Sequence, residues 1–441
     1  MKWIYILAMI LGTPVLGAYL RAHPRYLVHT AFATGLLMFV AMPNFWVAPI
    51  PWPGWPGPVQ GLELSFVDGI SLAIIMATKR VRTPVSMKIA FAIVCLAALV
   101  STFAGYQIMP AVFYDWQLLR AVLLFLAMVR LCATVPQAPV AFLGGLGVGL
   151  AYEAVLAIQQ YLGGSDRPGG NLGHANFLGF CTYFVVFPVF ALLLGSRRTL
   201  WPSIVVFCGL LIAVIGGSRA TMGMFGIGVV LTILFSMQRR PTPRKWAFAG
   251  GAMLLLLMSA PVMLWAIDRR SEEQRVSSDL ERESMKLAAR MMIADHPLGV
   301  GPNQYVVIAN TAGYSARAGV PWNYTSRSAP VHNTYYLVTA EFGLLGLVGL
   351  IALLVTLLFY GFRVLRLPSE LANAEILPGL VAAVIASCVH LYYEWIFMTF
   401  TLHYLFAIGT GMMVGIGARM RVAAKVPLPR GSGFAAVPQA G

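Results

Sequence analysis

The chain has 441 residues, of which 59% are hydrophobic and only 11% charged, and its mean hydropathy is +0.77. A water-soluble chain carries about 25% charged residues, so this composition excludes a soluble globular protein and makes a bilayer the solvent for most side chains. The net charge of +15 does not mark a nucleic-acid surface, because the basic residues fall in short segments between apolar runs, where cytoplasmic loops carry them.

Apolar runs close to the ~20 residues that cross a hydrocarbon core occur at about 3–20, 27–45, 62–78, 88–108, 117–134, 138–161, 175–194, 200–216, 219–237, 246–267, 332–360, 375–395 and 397–418. The first follows Met1-Lys2 and reads as a membrane helix rather than a signal peptide, because another apolar run follows it at once. Segment 43–61 has no charge and carries Trp46, Trp52 and Trp55, which suit a membrane–water interface. It is expected outside the membrane's cytoplasmic face, together with 162–174, 216–219 and 268–331. Basic segments such as Lys79 to Lys88, Arg239 to Lys245 and Arg419 to Lys425 are expected inside. This alternation gives thirteen spans with an external N-terminus, or twelve if one early segment fails to span. The fold class expected is an all-α polytopic membrane protein. Residues 1–267 would form an N-terminal bundle, 268–331 an external loop, 332–418 the last membrane helices and 419–441 a disordered cytoplasmic tail.

Gly145, Gly147 and Gly149 lie inside an apolar run and read as helix packing, not as a dinucleotide loop. The five cysteines form no CxxC pair. Neither HExxH, a Walker A sequence nor a DxD pair occurs, so no metal or cofactor is expected.

Chemistry concentrates late in the chain. Segment 268–331 holds seven of the sixteen acidic residues. Ser278 to Glu281 fits a capping box, so a helix is expected from there to about Asp295. On it Arg282, Lys286 and Arg290 recur every four residues and share one face, either an anion-binding stripe or a solvated one paired with neighbouring acids. Arg219, after Gly216-Gly217-Ser218, opens a helix. Free N–H groups there and a guanidinium fork suit a phosphate, whereas the plainer reading is an arginine snorkelling to lipid headgroups. His332 and Asn333 open the next long apolar helix. The helix N-terminus disfavours an imidazolium, so His332 can take a proton from a hydroxyl or simply cap the helix, with Asn333 orienting it or binding sugar. His174 and Asn176 in the 167–176 segment, and Asn303 after the Pro297 to Pro302 turn, are further candidates for substrate contact. The glycines of that turn are expected to bring backbone close to a ligand. Glu341 is expected to pair inside the bundle. His390 and Glu394 share a helix face but do not make a metal site.

The late external loop, the PxGxGPN turn (Pro297 to Asn303), the His332-Asn333 helix start and ExGxxG (Glu341, Gly343, Gly346) come in an order that resembles the O-antigen ligase and Wzy polymerase superfamily. GGSRA (Gly216 to Ala220) and GHANFLG (Gly173 to Gly179) fit it too. The resemblance implies a GT-C-like, metal-independent, inverting glycosyltransferase at the periplasmic face of a Gram-negative inner membrane. Its donor would be a glycan on undecaprenyl diphosphate, and its acceptor lipid A–core or, in a polymerase, another lipid-linked repeat unit. The resemblance also makes Arg219 and His332 the functional pair, with Arg282 and Arg290 on an arginine-rich family helix. A transporter or flippase for a lipid-linked solute is the alternative of a different class.

Overall fold

The computed structural model describes residues 2–40, 46–195, 199–268, 272–367, 372–397 and 399–424. The proline- and glycine-rich tail lies outside them. Each of the thirteen apolar runs contains a helix. In chain order these are α1 (Lys2–Ala22), α2 (Tyr26–Val40), α3 (Phe66–Ala77), α4 (Val85–Ala104), α5 (Ile108–Thr134), α6 (Ala138–Leu162), α7 (Ala175–Gly195), α8 (Leu200–Ile215), α9 (Arg219–Arg239) and α10 (Pro243–Asp268). Within the segment expected outside, α11 (Glu272–Asp295), α12 (Tyr305–Thr311), α13 (Tyr314–Arg317) and α14 (Tyr324–Ser328) follow, then α15 (Thr334–Leu365), α16 (Leu377–His390) and α17 (Phe400–Ala423). Among the described residues, nine helices are long and apolar enough to cross a membrane, while α2, α3 and α8 are shorter apolar helices. The chain is an all-α polytopic membrane protein, since helices satisfy their own backbone where no water can.

One departure is a small antiparallel hairpin, β1 (Trp46–Pro51) with β2 (Gly61–Ser65). It takes the first residues of the run expected to span at 62–78. Polar demand explains this. Glu63 and Asp68 converge on the fully buried Arg120 of α5, whose Nε donates to Asp68 Oδ2 at 3.0 Å and whose Nη1 lies 3.6 Å from Glu63 Oε2. The guanidinium also stacks 5.1 Å from the Phe400 ring and 5.2 Å from Tyr404, and Tyr404 donates to Asp68. This cluster ties the hairpin and α3 to α5 and α17.

Small residues set the closest helix approaches. A Cβ on Gly145 would stand 2.0 Å from the Phe32 carbonyl oxygen of α2, one on Gly147 2.6 Å from Val205, and one on Gly149 2.9 Å from Phe39. The glycine run is helix packing, as its apolar setting implied.

The segments expected outside meet at one end of the bundle. Gln107 N donates to Gln304 Oε1 at 3.0 Å, Val59 N donates to Asn303 Oδ1 at 3.1 Å, and Arg219 pairs with Asp279 at 3.8 Å. Those expected inside meet at the other, where Lys245 lies 3.3 Å from Glu375 and Asn373 donates to the Pro136 carbonyl.

Helix α11 begins at Glu272 rather than near Ser278, so Ser278 is inside the helix and not its cap. Helix α15 is broken at Gly343, whose backbone is left-handed (φ 70°, ψ −173°). The Pro297 to Gly301 turn fills the break: Val300 N donates to Ala340 O (2.9 Å), Gly301 N to Glu341 O (3.0 Å) and Leu344 N to Pro297 O (3.1 Å). A Cβ on Gly299 (φ 88°) would meet the Glu341 carbonyl oxygen at 2.3 Å. The glycines of this turn therefore let its backbone approach that of α15. Glu341, buried as expected, accepts from Tyr305 N at 2.9 Å and caps α12.

Candidate functional site

A single carboxylate organises the end of the bundle where α11 lies. Glu394, in the turn between α16 and α17, is fully buried. Its Oε1 accepts from Asn176 Nδ2 and from Arg282 Nη2 (3.3 Å), and its Oε2 accepts from His332 Nδ1 at 3.1 Å. The turn is held against the start of α15: Thr334 N donates to Leu391 O (2.8 Å), Thr334 Oγ1 donates to Glu394 O (2.5 Å), and Ile396 N donates to Thr334 Oγ1 (3.1 Å). Burial alone would raise the Glu394 carboxyl. The bonded His332, with Arg282 and His390, outweighs it and holds the group below the usual carboxylate range.

A carboxylate can only accept. Nδ1 of His332 therefore carries a proton, and in the neutral ring this leaves the lone pair on Nε2. His332 is not the helix cap. That role falls to Asn333, whose Oδ1 accepts from Tyr336 N at 3.1 Å. Asn333 is 1% exposed, and its Nδ2 is buried without a partner among the described residues, so it positions the helix start rather than reaching out to sugar.

Arg219 is the first residue of α9, behind the capping Ser218, which accepts from Thr221 N at 3.2 Å. Its Nη2 lies 3.8 Å from Asp279 Oδ1, one turn of α11 before Arg282, and both side chains are well exposed. Asn176 links the segment before α7 into the site, since Arg167 Nη2 donates to its Oδ1 at 3.1 Å. The His174 ring lies tilted against Phe177 (4.6 Å between centroids) and Trp395 (6.3 Å). Burial lowers its pKa, the charge of Glu394 opposes this, and that of Arg167 adds to it. Trp395 lies between the two histidines, 6.4 Å from His332.

Three of the expected contacts are placed otherwise. Asn303 is fully buried and left-handed (φ 64°); its amide donates to the Val59 and Pro110 carbonyls and accepts from Val59 N. It staples the hairpin loop to α5 and α12, leaving nothing for a substrate. Lys286 and Arg290 share a face with Arg282 but do not reach Glu394. Lys286 lies over the Tyr392 ring and Arg290 over the Tyr336 ring, each at 5.7 Å. Glu394 itself was not among the expected site residues. Its one legible signal is position, as the only acidic residue after Glu375. Among the described residues no group of three His, Cys, Asp or Glu side chains is arranged to hold a metal ion.

Residues 204–351 match the family model described as O-Antigen ligase. This stretch is a domain of the O-antigen ligase/Wzy superfamily. No curated protein matches the chain. The O-antigen ligase domain spans α9, α11 and the first half of α15, and so contains Arg219, Arg282 and His332. Asn176 and Glu394 lie outside it, one before and one after, and complete the constellation. The superfamily is one of membrane glycosyltransferase-like enzymes acting on lipid-linked glycans.

Proposed function

We propose that this protein is an O-antigen ligase that transfers a glycan, with inversion, from undecaprenyl diphosphate to a sugar hydroxyl of lipid A–core at the periplasmic face of a Gram-negative inner membrane. The observation that carries the reading is the convergence of His332, Arg282 and Asn176 on the buried Glu394. In the step, the acceptor oxygen attacks the anomeric carbon as the bond from that carbon to the diphosphate oxygen breaks. The diphosphate leaves with the bonding electrons. The hydroxyl proton passes to His332 Nε2, while Glu394 holds Nδ1–H and stabilises the imidazolium that forms.

Arg219 and Arg282 stabilise the charge on the departing diphosphate. Arg282 gives one of its five N–H donors to Glu394, and among the described residues the others are left for phosphate oxygens. These two guanidinium groups supply the positive charge that a bound metal supplies in other glycosyl transfers, so the reading is metal-independent. A transporter would place its charged site near the bilayer midplane, whereas these groups gather at one end of the bundle.

The test is purified protein with undecaprenyl-diphosphate-linked glycan, with and without lipid A–core. Product formed only with lipid A–core is the expected result. A ladder of longer lipid-linked chains without it would make the protein a repeat-unit polymerase of the same donor chemistry, and no turnover of the donor under either condition would defeat the enzyme reading.

A further inference from the structure

We propose that Lys286, Arg290, Tyr336 and Tyr392 form a second subsite, which takes a phosphate-bearing sugar of the acceptor. The inference rests on the transferase reading above and separates these residues from the diphosphate site. Of the three cations on this face of α11, only Arg282 meets Glu394. The other two stand over tyrosine rings, Lys286 over Tyr392 and Arg290 over Tyr336.

Among the described residues, charge at this position is not balanced. The carboxylate beside both cations is Glu283, 2.7 Å from Lys286 and 3.9 Å from Arg290. It is held in its ionised form chiefly by its bond to Lys286. One carboxylate between two cations leaves a surplus positive charge, with Arg290 54% exposed. A guanidinium fork beside an ammonium suits the three oxygens of a phosphate. Tyr392, 49% exposed, offers an aromatic face with a polar tip, the kind of surface that holds a partly apolar, partly hydroxylated ring.

Direction along α11 assigns the subsite to the acceptor. Asp279, at Arg219, and Arg290 are eleven residues apart, about 16 Å at 1.5 Å per residue. The Arg219 end serves the leaving diphosphate. An inverting displacement brings the acceptor from the side opposite the leaving group, which is the Lys286–Arg290 end. Tyr336 there lies in the first turn of α15, just after His332 and Asn333.

The experiment measures binding of lipid A–core, without donor, to the intact protein in nanodiscs by calorimetry. A second titration uses the same acceptor after chemical removal of its phosphates. Lys286→Gln and Arg290→Gln are each expected to weaken binding about tenfold. In the double variant the preference for the phosphorylated acceptor should vanish, while the KM for the donor stays at the wild-type value. Wild-type binding that ignores the phosphates would overturn the subsite. So would a double variant that binds acceptor normally but raises the donor KM, because the two cations would then belong to the diphosphate. A wild-type protein that binds acceptor phosphate through these residues yet transfers no glycan would sink the transferase reading and leave the subsite standing.

Discussion

Replacing Glu394 by glutamine tests the proposed chemistry most directly, because the change is nearly isosteric and acts through hydrogen polarity. Glu394 Oε1 accepts from Asn176 and Arg282, both of which only donate through the atoms concerned. A glutamine must keep its carbonyl oxygen on that side. Its NH2 then faces His332 Nδ1, 3.1 Å from the present Oε2. Two donors cannot share that contact, so the ring is driven to the tautomer with Nδ1 unprotonated and Nε2 protonated. The base nitrogen is blocked. General-base catalysis contributes about 10²–10⁴-fold, and kcat for transfer should fall by that factor with little change in donor KM. Stability should suffer less: two charge-assisted bonds, each worth ~1.5–3 kcal/mol, become neutral ones rather than disappearing. The assay is steady-state transfer to lipid A–core beside thermal unfolding of the same preparations. A Glu394→Gln enzyme within threefold of wild-type kcat would refute the dyad, and would leave Glu394 as no more than a brace for the 391–397 turn.

Other outcomes follow from the same geometry. Arg219→Ala and Arg219→Lys should both lose transfer by about 10²-fold or more, since an ammonium lacks the planar fork; full activity in the lysine variant would remove Arg219 from the diphosphate site. Arg120→Ala strands Glu63 and Asp68 without their cation, and should cost about 3–5 kcal/mol, read as a lowered unfolding temperature. Gly299→Ala forces a side chain into a left-handed position against the Glu341 carbonyl and should cost ~1–3 kcal/mol, with transfer impaired because the interlock with α15 loosens. Glu394, held below its ordinary pKa of 4.5, contributes stability that is present above that value and lost as pH falls through its lower folded value. The gap in unfolding temperature between wild type and Glu394→Gln should therefore close on acidification below about pH 4.5, and a gap unchanged to about pH 3 would contradict this. Transfer should persist in EDTA, measured by the same assay, and a loss restored by a divalent cation would count against a charge role filled by arginines.

Each membrane helix was legible in the sequence because the decision to enter a bilayer is made segment by segment. A run of about twenty apolar residues pays for its own transfer whatever its neighbours do, and the flanking lysines and arginines set which segments share a side. Arg219 at the head of α9, His332 at the head of α15 and the cationic face of α11 were visible for the same local reason, as was the glycine packing around Gly145. Boundaries shifted where polar partners intervened, as when Glu63 and Asp68 turned the start of a span into a strand and a cap for Arg120.

Which of these groups touch was decided only by tertiary packing. Glu394 meets Asn176 across 218 positions and His332 across 62, and no periodicity records such a pairing. The same holds for Asn303, whose left-handed backbone and amide were taken up by the hairpin loop 244 positions away, and for the glycines whose closeness proved to be to α15. The physical reason is that a buried polar group must find its partner in whatever the folded chain brings alongside. The sequence by itself pointed to cations, a histidine and a few amides at one end of the helix bundle; the fold chose the carboxylate that joins them.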